Sequence, residues 1–131
     1  MNALYSGKKI SQNQPIKMGS QKSERFIQPS ILLTLKGKPS HGYELIQNIS
    51  QFEFIEGNAP PGMIYRHLRE MEDNGLVISE WKTDEAGPAK RIYRLTTEGN
   101  EVLCSWIDYM GTQAKKMLAF IEMYRDLDKS S

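Results

Sequence analysis

The chain has 131 residues, 39% of them hydrophobic and 25% charged, which suits one small domain plus an extension, with a core modest enough to gain from a partner subunit. Its formal net charge of +1 excludes bulk charge as a ground for binding nucleic acid, so any positive surface must arise from where the cations stand. The lone cysteine, Cys104, excludes an internal disulfide and a cysteine-rich zinc site, and no apolar run approaches the roughly 20 residues of a membrane span or forms a signal core. A reducing, cytoplasmic setting is the expectation.

Residues 1–26 are rich in Ser, Gln, Asn and Lys and show little periodicity, so they read as a basic polar arm, disordered or solvated. Lys8, Lys9, Lys17, Lys22 and Arg25 stand there against the single acid Glu24. Such an arm can make nonspecific phosphate contacts.

A compact domain is expected over 27–96. From Pro29 the run PSILLTLKG gives a short apolar helix ended by Gly37, and Ser40 is placed to cap the next helix, HGYELIQNISQ. In that second helix either Tyr43, Ile46 and Ile49 or Leu45 and Ile49 face inward, and FEFIEGNA links it to a third. The third helix is the most sharply marked stretch of the chain. Pro60 and Pro61 open it, since proline has no amide to waste at a helix start, and Gly75 stands where a left-handed residue closes one. Ile64, Leu68 and Met71 recur at four and three and form its core stripe, with Tyr65 and Glu72 along the edge. The opposite side carries Gly62, Met63, Arg66, Arg69 and Asp73, with His67 and Glu70 between.

Two strand-like runs follow, LVISEW and RIYRL, joined by KTDEAGPAK with its Gly87-Pro88 turn signal. The returning side starts with Lys90 and Arg91. Three helices and then a hairpin with a basic flank is the order of a winged helix-turn-helix, in which the third helix enters the major groove of DNA and the wing reaches a neighbouring groove or phosphates. The fold class expected is mainly α with a small β-hairpin.

The last region, 97–131, reads as one long helix capped by Thr96 or Thr97, with Glu98 in its first turn. Leu103, Ile107, Met110, Ala114, Met117, Ile121 and Tyr124 step by four and three as a heptad seam. Beside it runs a second stripe of Val102, Trp106, Tyr109, Phe120, Met123 and Leu127. Two adjacent apolar stripes exceed what a small domain covers, so one is expected to pack at home and the other against a second copy in a homodimer. Gly111 interrupts the pattern at a cost of about 1 kcal/mol relative to alanine, marking a kink or a close approach.

Other chemistry finds little support. His41 and His67 lack partners at metal-ligand spacing, so no metal and no cofactor are expected. The motifs of nucleophilic, phosphate-binding and zinc-dependent enzymes are missing, and the acids of EMED lie on a solvated helix face, which argues against an enzyme. Trp81 and Trp106 read as core, while Tyr65 divides between packing on the hairpin and bonding a phosphate.

Three motifs, HGYEL at 41–45, PGMIYRHLREMEDNGLV at 61–77 and GPAKRIYRLTTEG at 87–99, give the chain a resemblance to the PadR-like transcriptional regulators, from about Ile27 to the C-terminal helix. That resemblance implies a dimeric winged-helix repressor with a short, single C-terminal helix, and the two-fold symmetry of such a dimer makes a near-palindromic operator in double-stranded DNA the expectation. Met63 stands where the family often has a small hydroxyl residue, and Arg66 and His67 where apolar residues or proline are common. The residues expected at DNA are Met63, Tyr65, Arg66, Arg69, Lys90 and Arg91. Some members of the family bind small aromatic effectors, and Trp106, Ile107 and Met110, with Met117 near Gly111, offer a local lining for a flat molecule. A winged-helix module used only for protein association is the alternative.

Overall fold

The computed structural model describes residues 24–52, 59–83 and 87–130. Most of the basic arm, most of the linker after the second helix and the acidic part of the hairpin loop lie outside these residues. The elements run α1 (Ile27–Gly37), β1 (Ser40–His41), α2 (Gly42–Ile49), α3 (Pro61–Asp73), β2 (Val77–Lys82), β3 (Lys90–Leu95) and α4 (Thr97–Lys129). The fold is mainly helical with one small antiparallel sheet, in the strand order β1-β3-β2.

The first three helices meet around a single core. Ile27, Ile31, Leu32 and Leu35 from α1, Leu45 and Ile49 from α2, and Ile64, Leu68 and Met71 from α3 are buried together. Val77 and Tyr93 close this core from the sheet, and Leu103 closes it from α4. Of the two inward faces open to α2, the one through Leu45 and Ile49 is taken, and Tyr43 is 63% exposed.

Helix ends are set by specific bonds. α1 stops at Gly37, with Lys38 extended ahead of Pro39, the conformation a following proline favours. His41, not Ser40, caps α2: its Nδ1 accepts from the Glu44 amide at 3.3 Å, while Glu44 Oε1 accepts from the His41 amide at 3.1 Å. Ser40 is instead buried in β1, its hydroxyl donating to the Lys38 carbonyl at 3.2 Å. The histidine takes the capping role because Ser40 is held in register with Tyr93 of β3.

α3 opens on Pro60 and Pro61 as its sequence demands. Its end is a two-bond motif in which the Leu76 amide donates to Met71 at 2.9 Å and the Gly75 amide to Glu72 at 3.1 Å. This closure needs a left-handed residue, and Gly75 supplies it at φ 77°. The chain then turns directly into β2, which fixes the hairpin relative to the third helix.

α4 is anchored at its start. Thr96 Oγ1 accepts from the Gly99 amide at 2.9 Å and lies 2.7 and 2.9 Å from the carbonyls of Gly75 and Leu76. A Cβ on Gly99 would come within 2.1 Å of the Leu76 carbonyl oxygen, so only glycine permits this approach. Beyond Trp106 the helix leaves the core and continues unbroken through Gly111 to Lys129, with open space around that glycine. Leu103 is 4% exposed in its own chain and belongs to the core, which removes it from the expected dimer seam. The exposed seam starts at Ile107.

Candidate nucleic-acid interface

Helical spacing sorts the side chains of α3 into a core stripe, an exposed face and two edges. Ile64, Leu68 and Met71 are fully buried. Arg66 and Arg69 are on the exposed side, and Met63 is half-buried against the core. His67, expected near the polar side, is instead 9% exposed and turned toward α1.

Tyr65 sits on the edge facing the sheet. It is 41% exposed, and its ring edge and hydroxyl fill the space a side chain at Gly42 would need. The ring edge thus packs on the start of α2, where packing on the hairpin was expected, and the residue keeps an exposed part. His41, Gly42, Tyr65, Lys90 and Arg91 surround a concavity of about 480 Å³ that joins the start of α2, the side of α3 and the wing. Tyr43, Trp81 and Tyr93 complete its lining, so two cations and four aromatic side chains meet in one hollow, beside a helix start already capped by His41 and Glu44.

The expected cations differ in how they are held. Arg69 and Lys90 have no ion pair among the described residues. Arg91 is bound within the wing: its Nε donates to Ser79 Oγ at 2.8 Å, its Nη2 lies 3.5 Å from Glu72, and its guanidinium stacks 5.6 Å from the Trp81 ring centroid. The Ser79 hydroxyl in turn donates to Glu72 at 2.7 Å. Arg91 thus ties β3 to β2 and to the end of α3. Trp81 is 64% exposed and serves as its platform, contrary to the core position expected of it.

Arg66 pairs with Glu24. The same carboxylate oxygen accepts from His67 Nε2 at 3.1 Å, and His67 Nδ1 accepts from the Gln28 side chain at 3.0 Å. With the Gln28 amide nitrogen as donor, Nδ1 accepts and Nε2 is the nitrogen that donates to Glu24. Hydrogen bonding from His67, with the Arg66 charge beside it, holds the Glu24 carboxyl below the usual carboxylate range. Composition puts Glu24 and Arg25 in a loose arm. The structure instead docks them onto α3 and α4, and composition cannot reveal this because the bonds come from residues some forty positions away or more.

Lys82, outside the expected set, stands directly opposite Lys90 across the β2–β3 ladder. The alternation of the two strands carries the signal, but only the register pairs the two residues.

The effector lining divides. Trp106 packs edge-on against Phe26 at 6.1 Å and Tyr109 at 6.0 Å, while Arg25 donates to the Tyr109 hydroxyl. Arg25, Val102, Ser105, Trp106 and Tyr109 line an open groove of about 370 Å³. Of the three expected residues only Trp106 lines it; Ile107 and Met110 do not. Ala114, Met117, Ile121 and Tyr124 are exposed along α4. Among the described residues there is no cluster of metal-ligating side chains and no helix long and apolar enough to cross a membrane.

The fold is that of known regulators. A PadR family transcription regulator from hypervirulent Clostridium difficile R20291 superposes with a TM-score of 0.65 at 26% identity, covering 73% of this chain and 98% of that one. Bacillus subtilis PadR in complex with operator DNA superposes at 0.56 with 23% identity, over 63% of this chain and 46% of that one. Rv1176c of Mycobacterium tuberculosis (strain ATCC 25618 / H37Rv), named a probable transcriptional regulator, is 32% identical over 78 residues. Those residues are 60% of this chain, which spans 41% of that relative's length. The profile of the Transcriptional regulator PadR-like family matches residues 31–105, from the middle of α1 to the first turns of α4. The chain is a member of the PadR-like family of transcriptional regulators.

Proposed function

We propose that the protein is a homodimeric, sequence-specific DNA-binding repressor that places α3 in the major groove and its β2–β3 wing on the adjoining backbone. The observation that carries this reading is the hollow between α2, α3 and the wing, where Tyr65 and Lys90 flank a helix start. It is suited to a phosphate, and it adjoins the α3 face that bears Arg66 and Arg69. Phosphate contacts of this kind set the docking, and side chains on α3 read base edges.

The long exposed apolar side of α4, with Ile107 and Ile121 at 52% and 41% exposure, supports two-fold pairing with a second copy. A closed dimer would present two recognition helices about 34 Å apart to a near-palindromic site. A DNA-bound regulator of this kind acts in the cytoplasm. A small aromatic molecule seated beside Trp106 releases the DNA by favouring a dimer geometry with another helix spacing, so ligand and DNA weaken each other by one common factor.

One observation favours the second reading, a module for protein association. Two of the four expected cations, Arg66 and Arg91, are held in ion pairs and are not left free for an anionic ligand. Nuclease footprinting on duplexes selected from a random library decides between the two. Protection of paired half-sites about one helical turn apart supports the repressor reading. Failure of any sequence to be enriched leaves protein association.

A further inference from the structure

Glu24 lies ahead of the segment matched by the family profile, yet its carboxylate reaches the middle of the recognition helix. We propose that Glu24 is a positioning residue for base readout: held by His67, it fixes the Arg66 guanidinium so that one two-donor edge of it faces the DNA. This rests on the DNA-binding reading above.

The support begins beneath the pair. Gln28 on α1 donates to His67, and His67, almost buried, donates to Glu24, so the carboxylate is tied to both α1 and α3. An acid on a mobile side chain could not aim another group; one bonded to a buried imidazole can. Arg66 contributes only Nη2 to Glu24, and that nitrogen carries one hydrogen on each forked edge of the guanidinium. A single bond therefore occupies one edge and leaves the other complete. A pair of donors on one edge is what recognition of guanine O6 and N7 requires.

Masking of Arg66 is the competing interpretation, and the geometry does not favour it. A masking carboxylate would engage a forked edge with both oxygens, whereas Arg66 and His67 share Oε2 alone. The Arg66 side chain also remains 51% exposed. The cost of this arrangement is a negative charge close to the DNA backbone, which weakens binding to every sequence equally. Discrimination, not affinity at large, is what Glu24 should raise.

The test compares the intact chain with Glu24→Ala, Glu24→Gln, Arg66→Ala and the Glu24→Ala/Arg66→Ala double variant. Each is titrated into a duplex selected from a random library and into a scrambled duplex of equal composition. Glu24→Ala should lower the ratio of the two affinities by roughly tenfold, with scrambled binding unchanged or tighter. Arg66→Ala should lower the ratio at least as far, and the double variant no further, because one interaction is being removed twice. Glu24→Gln, which keeps the shape but not the charge, should fall between the intact chain and Glu24→Ala. Equal tightening on both duplexes in Glu24→Ala would show a mask and overturn the proposal, as would full additivity with Arg66→Ala. If the intact chain treats both duplexes alike, the DNA-binding reading itself has failed and this inference falls with it. If the intact chain discriminates and Glu24→Ala keeps the ratio, only this inference falls.

Discussion

Lys82 and Lys90 stand directly opposite each other across the β2–β3 ladder, both exposed, where the wing runs out toward its loop. Like charges in facing positions oppose strand pairing, and the proposed contact with the DNA backbone would offset that repulsion.

Replacing both lysines with alanine should leave thermal stability unchanged or slightly raised, while weakening selected and scrambled duplexes alike. The slope of log affinity against log salt should fall by roughly 0.9 for each phosphate that the variant no longer neutralises. An unchanged slope would place the wing away from the backbone. Arg91 should behave differently, since its bonds to Glu72 and Ser79 make it part of the frame. Arg91→Ala is expected to loosen the hairpin as well as reduce binding.

A second test addresses the hollow. A Cβ on Gly42 would lie 2.7 Å from Tyr65 Cε1 and 2.8 Å from its hydroxyl oxygen, so Gly42→Ala must displace the ring. Because Tyr65 can swing outward, the folding cost should be only about 1 kcal/mol, the low end for overpacking. DNA affinity should drop by more than stability does. Tyr65→Phe keeps the ring in place and reports on the hydroxyl alone. Full binding by both variants would show that this hollow takes no part.

Stability should depend on pH at both ends of the range. The backbone bond from His41 holds the Glu44 carboxyl below its ordinary range, with Lys38 at 3.7 Å adding to the effect. A depressed carboxylate contributes stability above its unfolded pKa, and that contribution is lost as pH falls through the folded value. Melting temperature should therefore decline on acidification, and less steeply in Glu44→Gln. Tyr93 is the opposite case, since burial raises its hydroxyl above the usual value. Its contribution is present below the unfolded pKa and lost as pH rises past the folded one, so Tyr93→Phe should flatten the alkaline limb. Parallel curves for variants and parent would contradict both assignments.

What can be read ahead of the structure follows from how local each signal is. α3 is legible because proline at its start and glycine at its end act within a few residues, and its core stripe needs only the helical period. The hairpin is legible from alternation. β1 is not, because a strand of two residues exists only through its partner β3. The cap of α2 falls to His41 rather than Ser40 for the same reason: a serine that β3 pairing buries cannot also serve the helix. His67, Leu103 and Glu24 depart from expectation where a nonlocal neighbour decides. Gln28 draws His67 inward, the core draws in Leu103, and His67 with Arg66 recruits Glu24 from a segment whose composition suggests a loose tail.

The α4 seam offers a direct test of assembly. Ile107→Asp with Ile121→Asp places two charges on a side that is exposed in a single chain, well away from the buried Leu103. The core should stay folded while a dimer would have to bury those charges, at a cost of several kcal/mol. Sedimentation should give a folded monomer. A dimer of unchanged mass would require another interface.

Equilibrium anisotropy at a fixed salt concentration reads both the specificity and the stoichiometry of DNA binding in one experiment. A fluorescent duplex from the library selection and a scrambled control are each titrated with the intact chain, at trace DNA for affinity and at high DNA for stoichiometry. A dimeric, sequence-specific regulator should bind the selected duplex at least about a thousandfold tighter than the control and saturate at two protomers per duplex. Equal affinity for the two duplexes, or saturation at one protomer, would contradict it.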